Sequence, residues 1–229
     1  MSERIRNLFS DISGKYDTMN HVLSFGVDTL WRRRAAYESI PDKESFKALD
    51  VATGTGDLAF AVHNMALKNG KKAEIVGMDF SKKMLDIAKA KAAKRRTAEI
   101  SFELGDALNM EYEDNSFDVV TTAFSLRNFD DLDKFLKEVH RVLKPGGKFV
   151  FIDMAMPDSR FGRAFFKFYS KVMLAMGTLV QRNAYSWLVH SIMKFDKKRL
   201  VYLATKNEFN NVSMSNMVSG IAYIITGEK

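Results

Sequence analysis

The sequence predicts an α/β fold: a doubly wound sheet of seven strands, with a helical lid in front and a helical insertion after strand five. Three observations carry that reading. Short apolar runs alternate with helix-like stretches from Lys47 to Asp153, the pattern of strand–helix repeats around a parallel sheet. The first run ends in a glycine loop, Ala52-Thr53-Gly54-Thr55-Gly56-Asp57, that opens a helix. The second run, Glu74 to Asp79, ends in an acid 23 residues past Gly56.

Residues 1–46 precede the sheet. Ile5, Leu8, Phe9 and Ile12 have helical spacing, and Thr29 to Ser39 reads as a helix containing Trp31. Between them lies Tyr16 to Gly26, rich in side chains that can bind a ligand; a lid over the glycine loop or a helix docked on the sheet edge both fit. Strand one covers 47–52, and its helix covers 57–69 with Asp57 as the cap. Strand two covers 73–79, and Ser81 caps the helix that runs to Arg96. Strand three is Ile100 to Leu104; strand four runs from Phe117 to Phe124. A helix from Asp131 places Leu132, Phe135, Leu136, Val139 and Leu143 on one face and stops at Lys144-Pro145-Gly146-Gly147. Strand five is Lys148 to Asp153.

Residues 157–195 break the alternation. They carry Phe161, Phe165, Phe166, Phe168, Tyr169, Met173 and Met176, and read as inserted helices. Packing on the sheet and covering a hydrophobic substrate are equally compatible with that composition. Asp196 starts a helix to Asn207, and Val212–Met217 with Ile221–Thr226 read as a closing hairpin turning near Ser219-Gly220. The expected units are therefore a lid over 1–46, a cofactor-binding core over 47–156, the insertion over 157–195, and a helix and hairpin over 196–229 that complete the sheet.

Composition narrows the chemistry. The 229 residues are 46% hydrophobic, enough for a substantial core, and carry a net charge of +7. A basic surface can meet nucleic acid, an anionic membrane face or an acidic substrate. There is no cysteine, which excludes disulfides, thiolate metal sites and a cysteine nucleophile, and fits a reducing compartment. No His/Asp/Glu cluster has metal-ligand spacing, so no metal is expected. No run of about 18 apolar residues is present to span a bilayer.

A glycine loop and a strand-ending acid suit a nucleoside. Asp79 can accept both ribose hydroxyls, and a nicotinamide dinucleotide competes with S-adenosylmethionine for such a site. Asp50, just before the loop, favours the second ligand, because it would attract a cationic group and repel a pyrophosphate. Gly105-Asp106-Ala107 after strand three can meet an adenine amino group.

On these residues the sequence resembles the class I S-adenosylmethionine-dependent methyltransferases. More closely it resembles the ubiquinone/menaquinone-biosynthesis C-methyltransferase family. The likeness rests on Lys15-Tyr-Asp-Thr-Met-Asn20, Leu23-Ser-Phe-Gly26 with Trp31-Arg32-Arg33, Ala52-Thr-Gly-Thr-Gly-Asp57, Asp114-Asn-Ser-Phe-Asp118, Phe124-Ser-Leu-Arg-Asn128 and Arg141-Val-Leu-Lys-Pro-Gly-Gly147. It departs at Asp28, where the family usually has histidine, at Ser125, where it has glycine, at Asp153-Met-Ala155, where it has Glu-x-Ser, and at Ala123, where some members have serine.

The resemblance implies a Rossmann-like fold and S-adenosyl-L-methionine as cofactor. It implies cofactor contacts from Gly54, Thr55, Gly56, Asp79, Asp106 and Ala107, and substrate contacts from Tyr16, Phe124 and Asn128, with Tyr16 closing over the methionine end. The implied acceptor is a prenylated hydroquinone, methylated on a ring carbon made nucleophilic by loss of a phenolic proton. Arg127 is the candidate catalytic cation; an arginine is too basic to take the proton itself, and a structural pairing with a nearby acid is the alternative. His21, Asp17 and His190 are lesser base candidates. A polyprenyl tail implies a cytoplasmic protein that touches the inner face of a membrane, and a homodimer is a candidate assembly. The rivals are another small-molecule or lipid methyltransferase, an RNA methyltransferase suggested by the basic charge, and a nicotinamide-binding dehydrogenase or a binding-only relic.

Overall fold

The apolar runs assemble into one seven-stranded sheet in the order β3-β2-β1-β4-β5-β7-β6, in a computed structural model that describes residues 26–177, 182–217 and 220–229. Along the chain the elements are α1 (Val27–Ser39), β1 (Ser45–Val51), α2 (Asp57–Lys68), β2 (Lys72–Asp79), α3 (Lys82–Arg95), β3 (Ile100–Leu104) and β4 (Phe117–Ala123). A 3₁₀ turn at Leu126–Asn128 leads to α4 (Leu132–Val142), β5 (Leu143–Met154), α5 (Arg160–Gly177), α6 (Arg182–Lys194), α7 (Lys197–Lys206), β6 (Asn210–Met217) and β7 (Ala222–Glu228). Strands β1 to β5 are parallel; β7 pairs antiparallel with both β5 and β6. The closing hairpin therefore lies at the far edge of the sheet. The turn region at Ser219 and all of residues 1–25, with Tyr16, Asp17 and His21, lie outside the described residues.

The strands are apolar on both faces because helices cover both, as a doubly wound parallel sheet requires. Successive strand residues go to opposite sides. Leu49, Val51, Val120, Phe149 and Phe151 join Phe135, Leu136 and Val139 of α4 and Leu200 and Leu203 of α7. Ala48, Val119, Val150 and Ile152 join Trp31 and Ala35 of α1, Leu58 and Val62 of α2, and Leu85 and Ala88 of α3. The described side chains of α5 and α6 belong to neither layer's main cluster. Their Phe166 and Ile192 form a small cluster with Ile221, against Met154, Met156 and Leu188, at the rim where β5 ends.

Two local expectations are corrected. Asp57 does not cap α2. Gly56, at φ 87°, occupies the cap position, and the Asp57 carboxylate instead pairs with Lys91 of α3 at 2.9 Å. The helix before strand five stops at Val142, and the strand begins at Leu143 rather than Lys148. Proline disfavours helix in the residue before it, so the chain turns extended early. A register shift between Phe117 and Val119 then carries the Pro145-Gly146 segment within the strand.

Asp118 binds the amino-terminal ends of three strands together. Its carboxylate accepts from the Lys47 amide at 2.9 Å, from Lys43 Nζ at 2.6 Å and from Lys144 Nζ at 2.9 Å. Burial alone would raise its pKa, but these donors outweigh it and bring the value down from 3.8 to about 2. A lowered folded pKa gives stability that is full above 3.8 and is lost as pH falls through about 2. Asp118→Asn should thus cost about 1–3 kcal/mol at neutral pH. In urea unfolding, the gap from wild type should close as the pH approaches 2.

Candidate functional site

A cavity of about 380 Å³ opens at the carboxyl ends of β1 to β4. It lies where the strand order reverses between β1 and β4, the place open parallel sheets bind ligands. Its wall has four contributions. The loop after β1 gives Ala52 and Gly54; the end of β2 and the turn beyond it give Asp79, Phe80 and Ser81. Gly105, Asp106 and Ala107 come just after β3, and Phe124, Ser125, Asn128 and Phe129 come just after β4.

The glycine loop is held from two sides. Asp79 Oδ2 accepts the Gly54 amide at 2.8 Å, and its Oδ1 accepts the Ser81 amide at 2.8 Å. Asp50, only 1% exposed, accepts from Thr53 Oγ1 at 2.6 Å and from Thr121 Oγ1 at 2.8 Å. Thr122 Oγ1 donates to the Val51 carbonyl at 2.6 Å and so fastens β4 to the end of β1. Burial pushes both acids up to about 6, against the hydrogen bonds that favour their ions; Arg32 also draws Asp50 down.

The two glycines do different work. Gly54, at φ 57°, faces open space, so its need is conformational. Gly56, at φ 87°, faces rings: a Cβ there would sit 2.8 Å from Phe102 and 2.9 Å from Phe60. Ala52 (φ 52°) and Phe124 (φ 59°) also adopt the left-handed conformation, one just past β1 and one just past β4. Such strain in non-glycine residues gathers at functional sites. Alanine and phenylalanine carry no sign of it in the sequence.

Of the residues singled out from sequence, Gly54, Asp79, Asp106, Ala107, Phe124 and Asn128 share the one cavity. Asp106 is exposed, and its Oδ1 accepts the Leu108 amide at 2.9 Å, which fixes the loop after β3. Asn128 is 8% exposed, and its Oδ1 has no protein donor among the described residues, so an acceptor is left for a ligand. Thr55 lies in a smaller recess behind the loop with Arg32, Asp50 and Thr53, and its Oγ1 accepts from Lys91 at 2.9 Å. Gly56 underlies the loop. Phe124 stands beneath Arg32, whose guanidinium is 4.9 Å from the ring centre, and 6.2 Å from the Trp31 ring.

Arg127 stands apart from the cavity wall. Its side chain is 3% exposed; Nε donates to Asp153 Oδ1 at 2.6 Å and Nη1 to Ser191 Oγ at 3.0 Å. The structural pairing weighed from sequence is thus present, with Asp153 as the acid. Among the described residues, Nη2 has no acceptor.

The residues fit a nucleoside bearing a cation. Asp79's lone-pair sites, about four on a carboxylate, outnumber the amides that hold it, and the cavity is of ordinary ligand size, within about 300–1,000 Å³. Fold and site define the class: an S-adenosylmethionine-dependent methyltransferase. A methyltransferase of that class from Aquifex aeolicus superposes with a TM-score of 0.66 at 16% identity, covering 93% of this chain and 97% of its own. The model of the ubiE/COQ5 methyltransferase family matches residues 1–229, and the chain belongs to that family. It is 40% identical to a demethylmenaquinone methyltransferase of Deinococcus radiodurans, over 99% of this chain and 93% of the relative. It is 38% identical to a ubiquinone/menaquinone biosynthesis C-methyltransferase of Geobacter sulfurreducens, over 99% of this chain and 89% of that one.

Gly56→Ala should lower stability by about 1–3 kcal/mol through strain and ring contact, read from the urea midpoint. Asp79 gains a proton as pH falls through about 6 and then accepts less well. S-adenosylhomocysteine should therefore bind more weakly at pH 5 than at pH 7.5 by calorimetry. Asp79→Asn should bind weakly at both and keep only the part of that pH dependence that Asp50 contributes.

Proposed function

We propose that this chain transfers a methyl group from S-adenosylmethionine to a ring carbon of a prenylated hydroquinone, a demethylmenaquinol or a ubiquinone precursor. The observation that carries the reading is the Asp79–Gly54 contact at the cavity, which joins the nucleoside-binding acid to the glycine loop. As a member of its family the chain is a C-methyltransferase of quinone biosynthesis. The relatives' names supply the acceptor proposed.

When bound, S-adenosylmethionine supplies a methyl already activated by its sulfonium. The protein's part is alignment and activation of the acceptor carbon. Asp79 would hold the ribose, and Asp106 with the loop at Ala107 would meet the adenine. Asp50 and Thr53 would face the charged amino-acid end, with Tyr16 closing over it. Phe124 and Asn128 would line the acceptor side. On the acceptor, the ring carbon would give the electron pair for the new C–C bond and then pass its proton to water to restore aromaticity; the demethylated cofactor would leave as a thioether, keeping the C–S electron pair. Fixing donor and acceptor in line can lower the barrier by about 7–11 kcal/mol.

Arg127 is the proposed cation beside the acceptor oxygen. A phenol titrates near 10 by analogy with tyrosine, so a cation that favours phenolate makes the ring carbon nucleophilic at neutral pH. Asp153 and Ser191 fix the guanidinium on two sides and leave Nη2 for an oxygen or an ordered water. The acceptor's tail calls for contact with a membrane surface, and a second copy of the chain is a further candidate partner. No nucleic acid is proposed: the net charge is the one feature that favours RNA, while the relatives are named for menaquinone and ubiquinone methylation. No helix among the described residues is long and apolar enough to cross a membrane.

Transfer of labelled methyl to demethylmenaquinol, to a demethylated benzoquinol and to bulk RNA tests the reading; label in a quinol is expected, and label in RNA alone would reject it. Arg127→Leu should lower turnover by about 10²-fold or more while S-adenosylhomocysteine affinity stays near wild type. The leucine variant also leaves Asp153 unpaired and should lose about 3–5 kcal/mol of stability. Arg127→Lys keeps the charge and separates the two effects: restored stability without restored turnover is the expected result.

A further inference from the structure

Helix α5 presents an apolar face that none of the described residues covers. Phe161, Phe165 and Phe168 are 79%, 48% and 69% exposed. Their spacing of four and three residues puts them on one stripe of the helix. Phe166 and Ser170, on another side, are buried, and Phe166 packs on Ile192 and Ile221. The three exposed rings line no part of the cavity. Phe165 stacks on Tyr169 with ring planes 2° apart, which stiffens the stripe without hiding it.

Charge says what this face meets. From Arg160 to Lys171 the helix has four cations, Arg160, Arg163, Lys167 and Lys171, and no acid. These cations recur at three- and four-residue intervals, so they form a second stripe beside the rings. All four are exposed. Arg163 Nη2 donates to the Asp158 carbonyl at 2.7 Å, and its charge also helps hold the Asp158 carboxyl below its usual range, after the larger effect of Lys197. An aromatic stripe flanked by four cations, with no acid between Arg160 and Lys171, is the composition of a helix lying in the plane of an anionic bilayer, with rings among the acyl chains and cations at the headgroups. The helix does not qualify as a membrane span.

We propose that the Phe161–Phe165–Phe168 face of α5 seats this enzyme on an anionic lipid surface. The proposal deepens the functional reading, since a polyprenyl acceptor resides in a bilayer, but it rests on exposure and charge that hold whatever the acceptor is. The same helix, through Phe166, packs on α6, whose Ser191 holds Arg127. The seat is thus mechanically continuous with the site.

The test is co-sedimentation of the full chain with vesicles of phosphatidylcholine, with and without phosphatidylglycerol. The wild type should bind the anionic vesicles and release with salt. Phe161→Ser/Phe165→Ser/Phe168→Ser should lower partitioning by about tenfold or more. Lys167→Glu/Lys171→Glu should abolish the preference for anionic lipid. Circular dichroism and S-adenosylhomocysteine binding establish that each variant is folded. Methyl transfer to a tail-less, water-soluble quinol should survive in all of them, which separates failure of the surface from failure of the functional reading. Wild type that ignores anionic vesicles, or a folded triple-serine variant that binds them as wild type does, overturns the proposal. So does a lipid-free dimer that the serine substitutions dissolve, because the face would then belong to a second copy.

Discussion

Everything at the ligand end of the sheet depends on a carboxylate held by backbone amides. Asp79 reaches from the end of β2 to the Gly54 amide, and so ties the glycine loop to the neighbouring strand. Asp50, at the end of β1, ties the same loop to β4 through Thr53 and Thr121. Each acid is buried, and burial opposes its charge more strongly than the bonds support it, so both titrate near 6 instead of 3.8. A raised folded pKa means that their stability contribution is full below 3.8 and is lost as pH rises through about 6. At neutral pH the unliganded site therefore holds two ions at a cost. The same two residues that shape the loop therefore carry that cost.

The backbone shows the same economy. Ala52 and Phe124 take matching left-handed steps immediately past β1 and β4. Each step turns the chain out of its strand and into the cavity wall. Neighbouring contacts hold them: Thr53 N donates to the Met78 carbonyl at 3.0 Å, and Phe124 N donates to the Ile152 carbonyl at 2.8 Å. Strained residues persist where the surroundings over-determine them. Here β2 and β5, which flank the pair, do so, and the cavity lies at the ends of β1 and β4, which carry the strain.

How far the sequence was legible depends on the range of each interaction. The strand runs, Ser81 as a cap, the helix from Asp196 and the closing hairpin are local patterns of period and punctuation, and they stand close to where periodicity put them. The cavity residues Gly54, Asp79, Asp106, Ala107, Phe124 and Asn128 were legible because a glycine loop and strand-ending acids converge at one end of a parallel sheet. Partners distant in sequence were not. Nothing local marks Lys91 as the partner of both Thr55 and Asp57, or Ser191 as a partner of Arg127. Asp57 was mistaken for a cap because its type and position suit one; a lysine 34 residues away claimed it instead. The early start of β5 escaped because Pro145 and Gly146 punctuate a helix end and a strand bulge alike.

Two of the places where the chain departs from its family's usual residues put an aspartate against a buried arginine. Asp28 stands where histidine is usual, and it is buried against Arg32. Asp153 stands where glutamate is usual, and it is buried against Arg127. Both arginines belong to the motifs that carry the family resemblance, and both lie next to the cavity residues, one over Phe124 and the other beside Asn128. A buried guanidinium without an acid would set a positive field there and repel a sulfonium. Each aspartate offsets that field in part; enough of Arg32's remains to favour the Asp50 ion. Pairing each arginine with an acid thus makes room for a cation in a site flanked by both.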